Sequence, residues 1–167
     1  MALLDEPWFF TVLGNHEYMM INALKNSNEF DKWCVEFGRW ARWIEASRLD
    51  EWLSKLVDIP ISLTLNSGGY SVGICHAEPD GQNWTKMAEN PRGRDVMLWG
   101  RRVLRTNPDY DVDGVDFTLH GHTPLDQCKW IGNRYFMDTG AWFSGNLTLR
   151  RIDDIYAELT NRRSLFG

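Results

Sequence analysis

The stretch ISLTLNSGGYSVGICHA, residues 61–77, alternates apolar and polar side chains on either side of a pair of glycines. A period of two is typical of a half-buried β-strand, and glycines between two such runs favour a tight turn. The stretch therefore predicts a β-hairpin over residues 61–74. It also predicts that His76 follows directly after the second strand of that hairpin.

Helical patterns precede the hairpin. The apolar run at residues 8–13 predicts a strand buried on both faces, and the spacing of apolar residues after Gly14 predicts a helix. Large apolar side chains at intervals of three to four over residues 33–44 predict a second helix, interrupted at Gly38. Ser47 is a candidate N-cap for a third helix.

Strands dominate the prediction beyond the hairpin. A polar region at residues 87–106 has a partly helical pattern. It is followed by predicted strands at residues 116–119, 128–131, 135–137, 146–152 and 155–159. Helices in the first half of the chain and a mostly antiparallel β half afterwards favour a layered α/β domain.

The composition is that of one globular domain with an acidic balance. The chain has 167 residues, and its net charge is 18 − 23 = −5 with a sequence pI near 5.3. A general nucleic-acid binder needs a surplus of Lys and Arg, so this class is excluded. No apolar run reaches the roughly 20 residues that a membrane-spanning helix requires, which argues against a membrane partner. Three widely separated cysteines indicate reduced thiols, which predicts a cytoplasmic protein.

Each of the four histidines stands at or just after the end of a predicted strand. They are His16, His76, His120 and His122. Because ligand sites in open α/β sheets assemble at the carboxyl ends of strands, we expect these segments to share one site. Asn15, His76 and His122 together offer an amide oxygen and two imidazole nitrogens, which is part of a shell for a first-row transition metal. This set lacks the carboxylate that a hydrolytic metal ion usually needs.

Two other metal motifs fail on spacing. HEYMM at residues 16–20 begins like the zinc-protease motif HExxH, but its fifth residue is Met. Residues 109–114 resemble the first half of a calcium-binding EF-hand loop, but His120 stands at the twelfth position in place of a bidentate Glu. The second segment is therefore predicted to be an ordinary acidic loop.

Four motifs, in this order, carry a resemblance to a known family. They are GNHE at residues 14–17, CHA at 75–77, WGR at 99–101 and GHTP at 121–124. With these motifs the chain resembles the metallophosphoesterases, and among them the lambda-type serine/threonine protein phosphatases of bacteria and phages. The resemblance implies the C-terminal portion of a four-layer αββα sandwich. It also implies that the activity is the hydrolysis of phosphomonoesters.

The resemblance further implies a role for each matching residue. Asn15, His76 and His122 are similar to ligands of the second of two metal ions, expected to be Mn, with Fe, Zn or Ni as alternatives. His16 is similar to the histidine that protonates the leaving alkoxide, and Arg101 to the arginine that binds the phosphoryl oxygens. The implied reaction is attack of a metal-activated hydroxide on phosphorus. Its substrate would be a phosphoprotein or a small phosphomonoester.

Other residues near these motifs have alternative roles. Glu17 favours the positive end of its helix, and Asp138 is expected to anchor a turn rather than bind metal. His120 stands where the family usually has an apolar residue, so a role outside the ligand shell or in contact with solvent is favoured over a role as ligand. The alternative for Arg101 is a solvated charge on a helix.

The sequence lacks two motifs with which this family begins. Asp-x-His and Gly-Asp-x-x-Asp-Arg-Gly would supply the ligands of the first metal ion and the carboxylate that bridges both ions, and neither occurs here. We therefore expect residues 1–167 to be a single domain that is incomplete at its N-terminus and inactive alone. We also expect its exposed core to favour self-association. Two alternatives stay open: a dinucleoside polyphosphate hydrolase of the same fold, and a non-catalytic remnant.

Overall fold

The chain divides into two compact units. A computed structural model describes residues 2–79, 81, 83–108 and 110–166. The units are Met1–Ile61, which is helical, and Ser62–Gly167, which contains the sheet. The boundary between them falls at the start of the predicted hairpin.

Within residues 2–61, three helices and two short 3-10 turns form the first unit. The helices are α1 (Asn15–Leu24), α2 (Ser27–Glu36) and α3 (Ala46–Leu56). The 3-10 turns are Ala2–Asp5 and Arg39–Trp43. The buried apolar side chains form one core, whose members are Leu13, Met20, Ile21, Ala23, Trp33, Cys34, Ala41, Leu49 and Leu56.

The helices of the first unit follow the predicted pattern except at one cap. α1 begins directly after Gly14, and α2 ends before Gly38, as predicted. A Cβ at Gly38 would lie 2.1 Å from the Trp33 ring, so the chain passes this ring too closely for another residue. The predicted cap at Ser47 is wrong, because this residue lies inside α3 and Glu45 holds the N-cap position.

The predicted strand at residues 8–13 is wrong. These residues form no helix or strand, and Phe10 is 77% exposed. Leu13 N–H donates to the Pro60 carbonyl oxygen at 2.8 Å, but no described strand pairs with the segment. A strand is stable only in a ladder that satisfies its backbone donors and acceptors. An apolar run alone is therefore not sufficient to form a strand.

A five-stranded mixed sheet organises the described part of the second unit. Its strands are β1 (Ser62–Ser67), β2 (Tyr70–Cys75), β3 (Phe117–His120), β4 (Lys129–Ile131) and β5 (Arg134–Phe136). They lie in the order β1-β2-β3-β5-β4. β3 is parallel to both β2 and β5, and the two edge strands are antiparallel to their neighbours. The predicted hairpin is confirmed, whereas the prediction of mostly antiparallel pairing is wrong.

Helices between β2 and β3 explain their parallel pairing, since parallel neighbours need a long crossover. Asparagines cap two of these helices. Asn83 Oδ1 accepts from Lys86 N–H at 3.0 Å, and Asn90 Oδ1 accepts from Arg92 N–H at 2.9 Å. The helices of the crossover are α4 (Trp84–Glu89), α5 (Pro91–Trp99) and α6 (Arg102–Thr106).

The two strands predicted nearest the C-terminus are wrong. Residues 145–150 form no helix or strand; they follow the single turn α7 (Ala141–Ser144) and precede α8 (Ile152–Phe166). The first turn of α8 carries two aspartates, which stabilise the positive end of a helix. Ile155 and Leu159, four residues apart, pack from α8 into the core of the sheet. The same apolar residues suit alternation as well as a helical face, so the pattern was ambiguous.

The core of the second unit surrounds β3. All four residues of this strand are buried, and Phe117 is 0% exposed. Val72 from β2 and Tyr135 from β5 belong to the same core. The fold is therefore mixed α/β, as the sequence predicts. Among the residues described, no helix is both long and apolar enough to cross a membrane.

Candidate active site

The parallel pairing of β2 and β3 brings two predicted metal ligands together. Both strands end at the same edge of the sheet, since Ile74 is aligned with Leu119. His76 directly follows β2, and His122 lies two residues beyond the end of β3. Gly121 N–H donates to the His76 carbonyl oxygen at 2.9 Å, which joins the two loops.

The two imidazole rings are in contact with each other, and the His122 ring also contacts Arg101. His76 Nε2 lies 3.0 Å from His122 Nδ1, and Arg101 Nε lies 3.3 Å from His122 Nε2. A guanidinium group can only donate, so His122 Nε2 accepts this hydrogen bond. The proton of His122 is then on Nδ1, from which it is donated to His76 Nε2.

The backbone at His122 is unusual. Its φ is +68°, in the left-handed region that residues other than glycine rarely adopt. Thr123 N–H donates to the Gly121 carbonyl oxygen at 2.8 Å, which closes a three-residue turn centred on His122. Such conformations cost about 1–3 kcal/mol and cluster at functional sites, where surrounding contacts maintain them. The outlier supports a functional role for this loop.

Arg101 contacts His122 from the start of α6. It occupies the N-cap position of this helix, and its carbonyl oxygen accepts from Arg105 Nε at 3.0 Å. The side chain is exposed to solvent. Its contact with His122 favours a role in the site over the alternative of a solvated helix charge. A planar guanidinium suits the binding of phosphoryl oxygens, and this role stays a prediction.

The cluster of His76, His122 and Arg101, called the histidine–arginine cluster below, fits part of a metal site. Two nitrogens that bind one ion at about 2.1 Å lie about 3.0–3.4 Å apart, which is compatible with the spacing of the two rings, but binding would require His122 Nδ1 to lose the proton that it donates to His76. Over residues 2–79, 81, 83–108 and 110–166, no group of three His, Cys, Asp or Glu side chains is arranged to hold a metal. The two imidazoles can offer at most two of the ligands that a metal ion needs, and their role as ligands stays a prediction.

The other predicted site residues lie in the first unit. Asn15 is buried and is the first residue of α1. His16 is exposed, and its ring is edge-on to Phe37 with centroids 5.6 Å apart. Glu17 stands in the first turn of α1, where its charge stabilises the helix as predicted. The roles of Asn15 and His16 in a metal site and in proton transfer stay predictions.

His120 lies in the core of the second unit and not in the histidine–arginine cluster. Its Nδ1 is 3.4 Å from Cys75 Sγ, and its Nε2 is 2.7 Å from Thr118 Oγ1. Burial, and then the positive charge of Arg134, lower the pKa of His120 to about 3. Burial, and then the charge of Glu78, raise the pKa of the Cys75 thiol well above its usual value. Both side chains are therefore uncharged near neutral pH.

Asp138 anchors a turn close to the loop that carries His122. Its Oδ1 accepts from Gly140 N–H at 2.8 Å, and Gly140 has a φ of +76°. A Cβ at Gly121 would lie 4.0 Å from Asp138 Oδ2, so this carboxylate is a neighbour of the histidine loop. The contacts agree with the predicted anchoring of a turn.

The acidic loop before β3 makes structural contacts. Asp111 Oδ2 accepts from an Arg163 nitrogen at 2.8 Å, and Asp116 Oδ2 accepts from Ser71 N–H at 2.7 Å. Asp109, the first residue of the candidate calcium loop, lies outside the described residues. The contacts of Asp111 and Asp116 are those of an ordinary acidic loop.

Glu78 is a residue of this region that the sequence reasoning missed. Its side chain is fully buried, and its Oε1 accepts from Val103 N–H at 2.8 Å. A charged residue between Ala77 and Pro79, two positions after the histidine at the end of β2, was the available signal. A carboxylate is rarely this buried unless it has a specific partner.

Comparisons with known proteins identify several relatives. No protein-family model matches the chain. The chain is 31% identical over 157 residues to the serine/threonine-protein phosphatase 1 of Salmonella typhimurium, an alignment that covers 91% of this chain and 70% of that protein. It is 28% identical over 160 residues to the serine/threonine-protein phosphatase 2 of the same organism, covering 91% and 71%. Identity to the serine/threonine-protein phosphatase 2 of Escherichia coli is 27% over 158 residues, with the same coverage of 91% and 71%.

Proposed function

Because the chain belongs to the lambda-type serine/threonine protein phosphatases of the metallophosphoesterase family, we propose that its histidine–arginine cluster binds the phosphoryl group of a substrate. By family the chain is a phosphoprotein phosphatase, a hydrolase. The observation that carries the proposal is the 3.3 Å contact of Arg101 Nε with His122, beside the His76 ring. The substrates would be phosphoserine and phosphothreonine in proteins, and small phosphomonoesters in assays.

Each residue of the proposed site has one task. Arg101 binds phosphoryl oxygens through its planar donors, which stabilises the charge on the phosphoryl group during transfer. His76 and His122 would hold a divalent ion through ring nitrogens, and the family resemblance gives Asn15 the role of an amide ligand. When bound, this ion, Mn²⁺ in the first instance with Fe, Zn or Ni as alternatives, acidifies a water molecule and neutralises phosphoryl charge. His16 gives a ring proton to the leaving alkoxide.

The 167-residue chain is proposed to be inactive when it is assayed alone. In this family the Asp-x-His and Gly-Asp-x-x-Asp-Arg-Gly motifs hold the first ion, and this sequence contains neither. Two imidazoles and one amide are neutral ligands, so they leave the charge of an ion uncompensated. Each tenfold loss of rate corresponds to only about 1.4 kcal/mol of barrier, so a site without its carboxylates loses many orders of magnitude.

The experiment compares p-nitrophenyl phosphate hydrolysis by the bare chain and by the chain joined to the N-terminal segment of a lambda-type phosphatase, both with Mn²⁺. We expect background hydrolysis from the bare chain and turnover from the joined protein. In the joined protein, Arg101→Ala should lower kcat/KM by about a hundredfold or more, because a charge-stabilising donor is lost. His76→Asn and His16→Asn should remove most of the activity.

The matched control is Arg94→Ala, which removes another exposed arginine of the second unit. It should leave kcat/KM unchanged. Equal losses in the two arginine variants, or no loss in Arg101→Ala, would contradict the proposed phosphate site. Turnover by the bare chain that disappears in His76→Asn would contradict the proposed inactivity, and preference for a dinucleoside polyphosphate over a phosphopeptide would favour the alternative hydrolase.

A further inference from the structure

Glu78 connects the loop of His76 with the helix that begins after Arg101. Its carboxylate is 0% exposed. Oε1 accepts from Val103 N–H at 2.8 Å, and Oε2 accepts from Leu104 N–H at 3.4 Å. These two donors belong to the first turn of α6, where backbone N–H groups have no partner within the helix. Glu78 therefore caps α6 from a distant point in the sequence.

The cap is needed because α6 has little stability of its own. The helix has five residues, and the Arg101 side chain, at its N-cap position, makes no hydrogen bond to the helix backbone. A helix this short is unstable in isolation, since the cost of starting a helix is recovered only over several turns. A charged acceptor forms stronger hydrogen bonds than a neutral one. The position of the first turn therefore depends on Glu78.

Packing around Gly100 also holds the backbone next to Arg101 in place. A Cβ at Gly100 would lie 2.6 Å from Glu78 Cγ and 2.6 Å from the Val96 carbonyl oxygen. The chain thus passes directly against the Glu78 side chain immediately before Arg101. Next to Glu78, Ala77 N–H donates to the Met97 carbonyl oxygen at 2.7 Å, which holds the end of α5.

We propose that Glu78 is a positioning residue that sets where the Arg101 guanidinium lies relative to the two histidines. Glu78 orients the backbone on both sides of Arg101, through contact with Gly100 and through the capped turn that begins α6. It acts through Arg101 and does not itself touch the phosphoryl group. This inference rests on the proposed phosphate-binding role of Arg101.

The test observes Arg101 directly in the 167-residue chain by NMR of arginine Nε–Hε groups. The Arg101 signal is assigned by its loss in Arg101→Lys. Glu78→Gln keeps the size of the side chain and one acceptor oxygen but removes the charge, and Glu78→Asp keeps the charge but shortens the reach. Asp116→Asn is the matched control, because Asp116 Oδ2 also accepts from a backbone N–H of the second unit, that of Ser71 at 2.7 Å.

In Glu78→Gln and Glu78→Asp we expect the Arg101 signal to move toward the position of fully exposed arginines. We also expect the affinity for inorganic phosphate, read from the same signal, to fall about threefold to tenfold, as for a weakened charged contact. Asp116→Asn should change neither quantity. An Arg101 signal and a phosphate affinity that stay at parental values in both Glu78 variants would overturn the proposal.

Two further readouts separate the outcomes. Amide exchange in the unaltered chain tests the cap without a variant: exchange of the Val103 amide as fast as that of an exposed loop amide would also overturn the proposal. If phosphate leaves the Arg101 signal of the parent chain unmoved, the proposed phosphate site is wrong. The dependence of the Arg101 signal on Glu78 is measured independently of that result.

Discussion

In the second unit, the candidate site residues follow strands that have a neighbouring strand on both sides. In the first unit, the candidate site residues follow a segment that is not paired with any described strand. His76 and His122 leave β2 and β3 at one edge of the sheet, and their rings are 3.0 Å apart at the nearest nitrogens. Asn15 and His16 begin α1 after residues 8–13, which form no helix or strand. The sequence predicts a strand before each of these pairs of residues.

The difference shows what fixes a side chain at the end of a strand. A ladder on both sides of β3 holds the backbone through hydrogen bonds, so the residues after it start from a defined point. The segment at residues 8–13 has one backbone hydrogen bond to a distant residue in the described unit, from Leu13 N–H to Pro60. An apolar run therefore positions the site residues that follow it only when neighbouring strands pair with it.

The largest expected effect is a difference in folding stability between alanine variants of two phenylalanines, one in the sheet and one in the unpaired segment at residues 8–13. Phe117 is 0% exposed at the centre of the sheet, and Phe10 is 77% exposed in the first unit. Phe117→Ala should lower the free energy of unfolding by about 3–5 kcal/mol, because it removes a large buried side chain and leaves a cavity. Phe10→Ala should change it by less than about 0.5 kcal/mol. Urea unfolding followed by tryptophan fluorescence measures both values.

A large loss of stability in Phe10→Ala would break the comparison. It would mean that the segment at residues 8–13 is buried in solution, as the sequence predicted. A small loss in Phe117→Ala would mean that the sheet does not hold the second unit together. The Arg101 signal defined above should disappear from its native position in Phe117→Ala and remain in Phe10→Ala.

The next largest effect is the loss of folding stability of the second unit as the pH falls. The pKa of His120 is lowered to about 3 by burial and by Arg134, from an ordinary value of 6.5. The unfolded chain therefore binds a proton below pH 6.5 that the folded chain does not bind, so stability falls as the pH falls from 6.5 toward 3. Between pH 6.5 and pH 5 the loss should be about 2 kcal/mol.

The measurement is urea unfolding at pH 7 and pH 5 for the parent chain and for His120→Gln. Glutamine cannot titrate, so the variant should lose this part of the pH dependence, although it is less stable at pH 7. Carboxylates common to both proteins cancel in the comparison. An identical pH dependence in the two proteins would show that the His120 imidazole accepts a proton in the folded state. This outcome would contradict the structure, in which the buried ring between Cys75 and Thr118 stays neutral.

Short-range patterns in the sequence were sufficient for part of this fold. The hairpin of β1 and β2 needs only alternation and the Gly68–Gly69 turn, and α1 needs only its spacing after Gly14. The shared position of His76 and His122 was also predictable, because strand ends converge in sheets of this type. The rules for the hairpin and for α1 are local, with a physical cause within about ten residues of chain, whereas the convergence of strand ends is a rule of sheet topology.

The remaining features depend on partners that are distant in the sequence. Whether residues 8–13 and 145–150 become strands depends on a neighbouring ladder, and no local pattern encodes that neighbour. The final helix is not distinguished from a strand by the sequence pattern, because Ile155 and Leu159 suit both periods. The cap from Glu78 to α6 joins residues 25 positions apart, so no short motif could indicate it. Contacts of this kind are visible only in three dimensions.

The smallest expected effect is the loss of stability when the N-cap of one helix in each unit is replaced. Asn26 Oδ1 accepts from Asn28 N–H at 3.1 Å at the start of α2, and Asn90 Oδ1 accepts from Arg92 N–H at 2.9 Å at the start of α5. Alanine at either position should cost about 1 kcal/mol, and glycine only a few tenths of that, since glycine leaves the backbone N–H groups open to water. Amide hydrogen exchange should report the Asn26→Ala loss in α2 and the Asn90→Ala loss in α5. If Asn26→Ala instead lowers protection in β3 as much as in α2, the two units unfold as one, and the strand ladder of the second unit stabilises both.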